Sequence, residues 1–252
     1  MFELPKAHFE RLLPLFDPNQ LNSTMIFSTL TGRTPGQAYV DSLDQPQRCL
    51  LTIDFLNFSF LGGIPDQPWL IQAITELRQR QAIHLSWPPH RADSLELPAP
   101  PDGVMSAFEF YDSISPPLTP IAEGYQLRII DNELFVRCVW HDEILMVFGT
   151  AENFLRHGIG LCLMKNDEIC SEAYACWLGA GKFELGIVTH EQHRQRGYAY
   201  LTCQHLIKFC EAKGYPTAWS CAQDNLASAA LAHKLGYQTQ RAFQWLYYSR
   251  VG

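Results

Sequence analysis

The 252-residue chain has no apolar run approaching the roughly 18 to 20 residues that cross a bilayer. Lys6, Glu10 and Arg11 interrupt the apolar core that a signal peptide would need, so a cytoplasmic location is expected and a membrane partner is not. Charge is sparse. Only 18% of residues are charged, and 19 Lys and Arg against 26 Asp and Glu leave a formal net charge of -7, which argues against nucleic acid as a partner. The eight cysteines contain no C-x-x-C pair, and several lie in apolar stretches where a free thiol behaves as a small hydrophobe. The nine histidines show no H-E-x-x-H spacing, so no metal is expected. Low-complexity tracts and short repeats are also missing, which excludes fibrous and disordered classes. What remains is a globular composition, 47% hydrophobic and 12% aromatic, long enough for one large domain or two ordinary ones.

Eight of the 16 prolines (Pro88, Pro89, Pro98, Pro100, Pro101, Pro116, Pro117 and Pro120) fall between 88 and 120, a stretch expected to hold neither a long helix nor a central strand. It divides the chain into an N-terminal α/β domain, 1–120, that ends in this Pro-rich linker, and a C-terminal domain, 121–252. On the N-terminal side, apolar residues at helical spacing over 6–16 precede a turn-rich stretch at 17–24. Strands then follow near 37–40, 48–54 and 57–61, with a helix at about 68–80 and a strand at 82–87. On the C-terminal side, strands are expected at 127–130 and 134–139, then a short helix at 151–157 and strands at 159–164, 168–177 and 183–189. A helix at 197–213, a strand at 217–222, a helix at 225–235 and a strand-rich stretch at 237–248 complete the chain. Both orders contain β-β-β-α-β, and Gly62-Gly63 sits where the second half has a glycine turn. An old duplication would explain this.

The segment richest in chemistry starts at the alternating strand from Phe183 to His190. It continues through Glu191-Gln192-His193-Arg194-Gln195-Arg196-Gly197-Tyr198-Ala199 into a helix. A strand, a loop and a helix N-terminus in succession present unpaired backbone N–H groups and the positive end of the helix dipole, which suits a phosphate or pyrophosphate. Gly197 permits close backbone approach, and Arg194 with Arg196 adds positive charge to an acidic chain. A solvated basic turn is the plainer alternative.

This R-x-x-G-x-A segment resembles the acyl-CoA-binding loop of the GNAT N-acetyltransferase superfamily. The later block from Trp219 to Tyr237, with its N-x-x-S start at Asn225 and Ser228 and its K-L-G-aromatic end at Lys234 to Tyr237, resembles that family's following strand and helix. The stretches E-N-F-L-R-H-G-I-G-L-C, E-I-C-S, E-L-G-I-V-T and W-S-C narrow the resemblance to a subfamily that includes the zwittermicin A resistance acetyltransferase. It implies an α/β (α+β) fold. The C-terminal half would be a GNAT domain with a mixed central sheet flanked by helices, and the N-terminal α/β domain a degenerate GNAT-like copy.

The activity so implied is transfer of an acetyl group from acetyl-CoA to a primary amine of a small molecule, by direct attack in a ternary complex. A protein or peptide acyltransferase and a non-catalytic acyl-CoA-binding module are the alternatives. Partners would be acyl-CoA and an amine acceptor, with the chain a monomer or homodimer. The acidic balance suits a cationic acceptor. The resemblance places the pantetheine arm beside Ile187, Val188 and Thr189, the pyrophosphate at Arg194, Gln195, Arg196, Gly197, Tyr198 and Ala199, and Asn225 and Ser228 near the arm. Asn225 and Ser228 serve equally well as a helix cap and its first turn. The general base implied is Glu184, which alternation puts on one strand face with Gly186 and Val188, opposite Phe183, Leu185 and Ile187. His190 is a second candidate. The tyrosine that many relatives use to protonate the leaving thiolate is replaced by Ala232. Tyr237 and Cys221 are nearby candidates, or the thiolate leaves unassisted. Trp69, Trp87, Trp140 and Trp245 read as core.

Overall fold

The structure, a computed structural model, describes residues 1–88, 95–97 and 99–251. The N-terminal half runs β1 (Phe2–Leu4), a 3-10 segment (Lys6–Leu15), α1 (Ser23–Leu30), β2 (Gly36–Val40), β3 (Arg48–Ile53), β4 (Phe58–Gly63), α2 (Gln67–Arg78), β5 (Ile83–Trp87) and β6 (Gly103–Ser113). The C-terminal half runs β7 (Tyr125–Ile129), α3 (Asn132–Phe135), α4 (His141–Phe148), α5 (Ala151–His157), β8 (Gly160–Lys165), β9 (Glu168–Gly179) and β10 (Lys182–Thr189). It then continues through α6 (Tyr198–Ala212), β11 (Thr217–Ala222), α7 (Leu226–Lys234) and β12 (Tyr237–Tyr248).

The halves share a plan. β2, β3 and β4 form an antiparallel meander, and β4 pairs parallel with β5 across the α2 crossover. β8, β9 and β10 repeat the meander, and β10 pairs parallel with β11 across α6. The last strands are exchanged: β12 lies beside β5, β6 lies beside β11, and β6 and β12 pair antiparallel at the centre. One 12-stranded mixed sheet results, in the order β1-β2-β3-β4-β5-β12-β6-β11-β10-β9-β8-β7. The exchange pairs two strand edges that separate halves would leave open.

This corrects the reading of 88–120 as a stretch without a central strand, because the 11-residue β6 lies inside it at the middle of the sheet. No proline falls between Pro101 and Pro116, so every N–H that the ladder needs is present, and the prolines stop the strand on either side. Pro89 and Pro98 lie outside the described residues. A second correction concerns 134–139. Asp131 accepts the Leu134 N–H at 2.9 Å and starts the helical turn α3, and α4 follows without having been foreseen. The apolar run is too short to separate strand from helix by period, and the capping aspartate decides it.

Helix α1 was also not legible. Its sequence, Ser-Thr-Met-Ile-Phe-Ser-Thr-Leu, is poor in strong helix formers, and all but Phe27 is buried. Tertiary packing stabilises it, since it lies on β9 so closely that a Cβ on Gly179 would stand 2.2 Å from the Thr24 carbonyl oxygen. The opposite face of β9 and β10 is covered by α6, whose Cys203, Leu206, Ile207 and Cys210 stripe packs on Ala173, Ala175, Phe183 and Leu185. Burial of side chains such as Leu206 and Ile207 stabilises the fold by roughly 1.5 to 3 kcal/mol each.

Candidate active site

The parallel strands β10 and β11 stay paired only at Phe183 with Thr217 and Glu184 with Ala218. Beyond that point β10 continues along β9 through a bulge between Glu184 and Leu185, whereas Trp219 to Ala222 of β11 pair with β6. The strands therefore open into a wedge, and one edge of β10 from Leu185 to Thr189 has no strand partner. A cavity of about 300 Å³ lies at this wedge on the α1 side. Its walls include Met25 of α1, Trp140 and Glu143 near α4, Glu184 and Gly186 of β10, Ser220 and Cys221 of β11, and Trp245 of β12. Both halves build it, and Trp140 and Trp245, which pack in or against the core as expected, also contribute cavity wall.

Glu184 is 2% exposed. Thr24 Oγ1 donates to its Oε2 at 2.5 Å and the Ser220 hydroxyl donates to its Oε1. Burial raises its carboxyl from the ordinary 4.5 to about 7. The Ser220 and Thr24 hydrogen bonds pull it down in part, and the nearby Glu109 carboxylate pushes it up. Glu109 lies opposite Ser220 in the β11–β6 ladder and forms an ion pair with Arg241 of β12. It also accepts the Asn22 N–H at 2.9 Å, just before α1. A carboxyl with this value, at the wall of a cavity, can hold or release a proton near neutral pH.

At the far end of β10 the chain passes through a 3-10 turn (Glu191–His193) into α6. Gln195 and Gly197 have φ of 61° and 79°, so the turn winds through two left-handed residues, and glycine fits the second at little cost. Gly197 is the N-cap and supplies no side-chain acceptor. The ladder begins with the Leu201 N–H donating to the Gly197 carbonyl at 3.1 Å, so the earlier N–H groups of the first turn are free for an anion. Arg194, Gln195, Arg196 and Gly197 are exposed around them. Tyr198 and Ala199 form the first turn, and the Tyr198 hydroxyl is 2.5 Å from that of Tyr125 on β7. Ile187, Val188 and Thr189 line the half-buried edge that leads from the wedge to this turn.

The remaining expected residues are dispersed. Asn225 caps α7, its side-chain oxygen accepting the Ser228 N–H at 3.1 Å, while the Ser228 hydroxyl accepts the Trp219 indole N–H at 3.0 Å. Tyr237 is 2% exposed, donates to Thr217 at 2.8 Å, and is pushed well up by burial. It sits in the core under α6 rather than on the cavity. His190 lies beyond the end of β10, 3.5 Å from Glu172, and does not line the cavity. Cys221 does line it, but burial raises its thiol and holds it protonated. Ala232 is fully buried under β11 and β12, leaving no polar group at that position. Thr24 was missed because its contact with Glu184 spans 160 positions and no local pattern marks it.

All eight cysteines are free. Among the described residues, Cys138, Cys162 and Glu172 bring ligand-type atoms within 4.8 Å of one another. Both Glu172 oxygens are already taken by the backbone N–H groups of Val139 and Trp140, at 3.1 and 2.8 Å, which fixes Trp140 at the cavity. In the N-terminal half, the helix start equivalent to the α6 turn is closed. Asp66 caps α2 by accepting the Trp69 N–H at 2.9 Å, and Pro68 lies in its first turn without a donor. No helix among the described residues is long and apolar enough to cross a membrane.

The family model for GNAT acetyltransferase matches residues 108–246, beginning inside β6. An uncharacterized N-acetyltransferase of Bacillus subtilis, YdfB, is 25% identical over 98% of this chain and 98% of its own. Among solved structures, a GCN5-related N-acetyltransferase-like protein from Streptococcus suis superposes with a TM-score of 0.66 at 21% identity, over 95% of this chain and 98% of that one. A tandem GNAT protein from the clavulanic acid biosynthesis pathway superposes with a TM-score of 0.63 at 11% identity, over 98% and 97%. These two likenesses speak for the fold, including its two-part arrangement. Together with the wedge between β10 and β11 and the open start of α6, the family match shows that the chain belongs to the GNAT acetyltransferase family and is an acyltransferase.

Proposed function

We propose that the protein moves an acetyl group from acetyl-CoA to a primary amine of a small molecule, by direct attack in a ternary complex. The observation that carries this reading is Glu184. A buried carboxyl raised to about 7 stands on the cavity wall where β10 leaves β11, with an open helix N-terminus at the other end of the same strand. The first-turn N–H groups of α6, with Arg194 and Arg196, would hold the pyrophosphate. The unpaired β10 edge from Ile187 to Thr189 would hold the amide-bearing arm in the manner of an added strand. Acetyl-CoA supplies an activated thioester carbonyl when bound.

On the cavity side, Glu184 takes a proton from the incoming ammonium, and Thr24 and Ser220 hold the carboxylate in place. The amine nitrogen forms the new bond to the carbonyl carbon, the carbon–sulfur bond breaks, and the second proton of the attacking nitrogen passes to the departing thiolate. The thiolate departs without a tyrosine at Ala232, which is tolerable because thiol pKa values lie only about 1.5 units above neutrality. Asn225 and Ser228 act through α7, as cap and first turn. We further propose that residues 1–120 are a degenerate GNAT-like unit and 121–252 the working one, with the capped α2 start explaining why only one loop binds phosphate. The test is calorimetric titration with acetyl-CoA, followed by thiol release with a panel of amines. Micromolar binding lost in Arg194→Glu/Arg196→Glu supports the reading; no binding to the folded wild type sinks it.

A further inference from the structure

The walls of the Glu184 cavity are unusual for a polar acceptor. Phe58 stacks on Trp245 with centroids 4.2 Å apart, and Phe55 meets the edge of Trp177 at 6.0 Å. All four rings line the cavity, as do Trp140 and Phe243. Its charged lining residues are Glu143 and Glu184, and among the described residues no lysine, arginine or histidine lies on it. Trp177 is 8% exposed, and its buried indole Nε1 has no hydrogen-bond partner among the described residues. That nitrogen is itself sealed off, so Trp177 presents only ring surface to a ligand. The volume, about 300 Å³, suits a one- or two-ring molecule and is too small to enclose an oligosaccharide amine.

We propose, resting on the acyltransferase reading of this same cavity, that the acceptor is a small primary amine on a flat aromatic body. The rings bury the body and the two carboxylates attract the ammonium. An acyl chain would leave both carboxylates without use. A linear polyamine would leave the aromatic walls unfilled.

The test uses the full chain with saturating acetyl-CoA and follows thiol release with phenethylamine, hexylamine, spermidine and kanamycin. Phenethylamine should exceed spermidine in kcat/KM by ~100-fold and hexylamine by ~10-fold, because a ring fills the aromatic walls that a chain leaves open. Phe58→Leu should narrow the second ratio, and Glu143→Gln on the half-exposed face of α4 should raise KM for every amine more than it lowers kcat. Turnover of spermidine or kanamycin equal to that of the aryl amines overturns this inference and leaves the acyltransferase reading standing. A preference set by acyl-chain length, tested with acetyl- against hexanoyl-CoA, or turnover of hexylamine equal to that of phenethylamine also overturns it. Quenching of tryptophan fluorescence by aryl amines without thiol release supports the pocket assignment and counts against the transfer reading. No quenching by any aryl amine overturns the inference.

Discussion

Thr24 on α1 donates a 2.5 Å hydrogen bond to Glu184 on β10, 160 positions further along the chain, and so ties the N-terminal half to a buried carboxylate of the wedge. The contact makes α1 part of the site, with Met25 beside it on the cavity wall.

Removing the carboxylate without changing its shape isolates its role. Glu184→Gln should lower turnover by ~100-fold or more while acetyl-CoA affinity stays within about twofold, measured by thiol release and calorimetry. Unchanged turnover would remove Glu184 from the chemistry.

The raised carboxyl makes a signed prediction for pH. Because Glu184 moves from 4.5 up to about 7 on folding, the native state holds its proton more tightly than the unfolded chain. The stability so contributed is full below pH 4.5 and is lost as pH rises through about 7, on the order of 3 kcal/mol. Denaturant unfolding at about pH 5 and about pH 8 should show the wild type losing stability relative to Glu184→Gln across that interval. The kcat/KM profile should show an acidic limb near neutrality that is missing in the variant.

Thr24 and Ser220 stabilise the ionised form of Glu184, so their loss has a direction. Thr24→Val and Ser220→Ala should each shift the acidic limb of the rate profile to higher pH, and Thr24→Ser should restore it. A fall in kcat with an unmoved limb would mean that these hydroxyls only pack.

The exposed arginines at the α6 turn separate binding from folding. Arg194→Glu with Arg196→Glu should weaken acetyl-CoA binding by at least ~10-fold with a melting temperature within about 2 °C of wild type, since both side chains are exposed. Gly197→Ala meets no neighbour but sits at φ 79°, and should cost about 1 kcal/mol of stability.

At α7 the cap and the cofactor contact can be told apart. Asn225→Ala should cost about 1 kcal/mol in unfolding free energy and leave acetyl-CoA affinity within about twofold; Asn225→Ser should recover the stability. A large loss of affinity at constant stability would make Asn225 a direct contact.

Much of the C-terminal half was determined locally. The alternation of Phe183, Leu185 and Ile187 against Glu184 and Gly186, the glycine at position 197 and the cap at Asn225 each follow from a short-range rule of backbone geometry or capping. Such rules place β10, α6, β11 and α7 within a residue or two. What the tertiary structure decided is long-range. β6 looked like linker because of the prolines around it, and only its position between β11 and β12 shows that it completes the C-terminal sheet. α1 has weak helix propensity and forms because its apolar surface is buried against β9 and β10. The rings at Trp140 and Trp245 read as core in sequence, and no local pattern marks Phe55 or Phe58. They become a cavity because β10 and β11 part after a single pair of bridges, and burying Glu184 there, not its position in the strand, is what moves its proton to neutral pH.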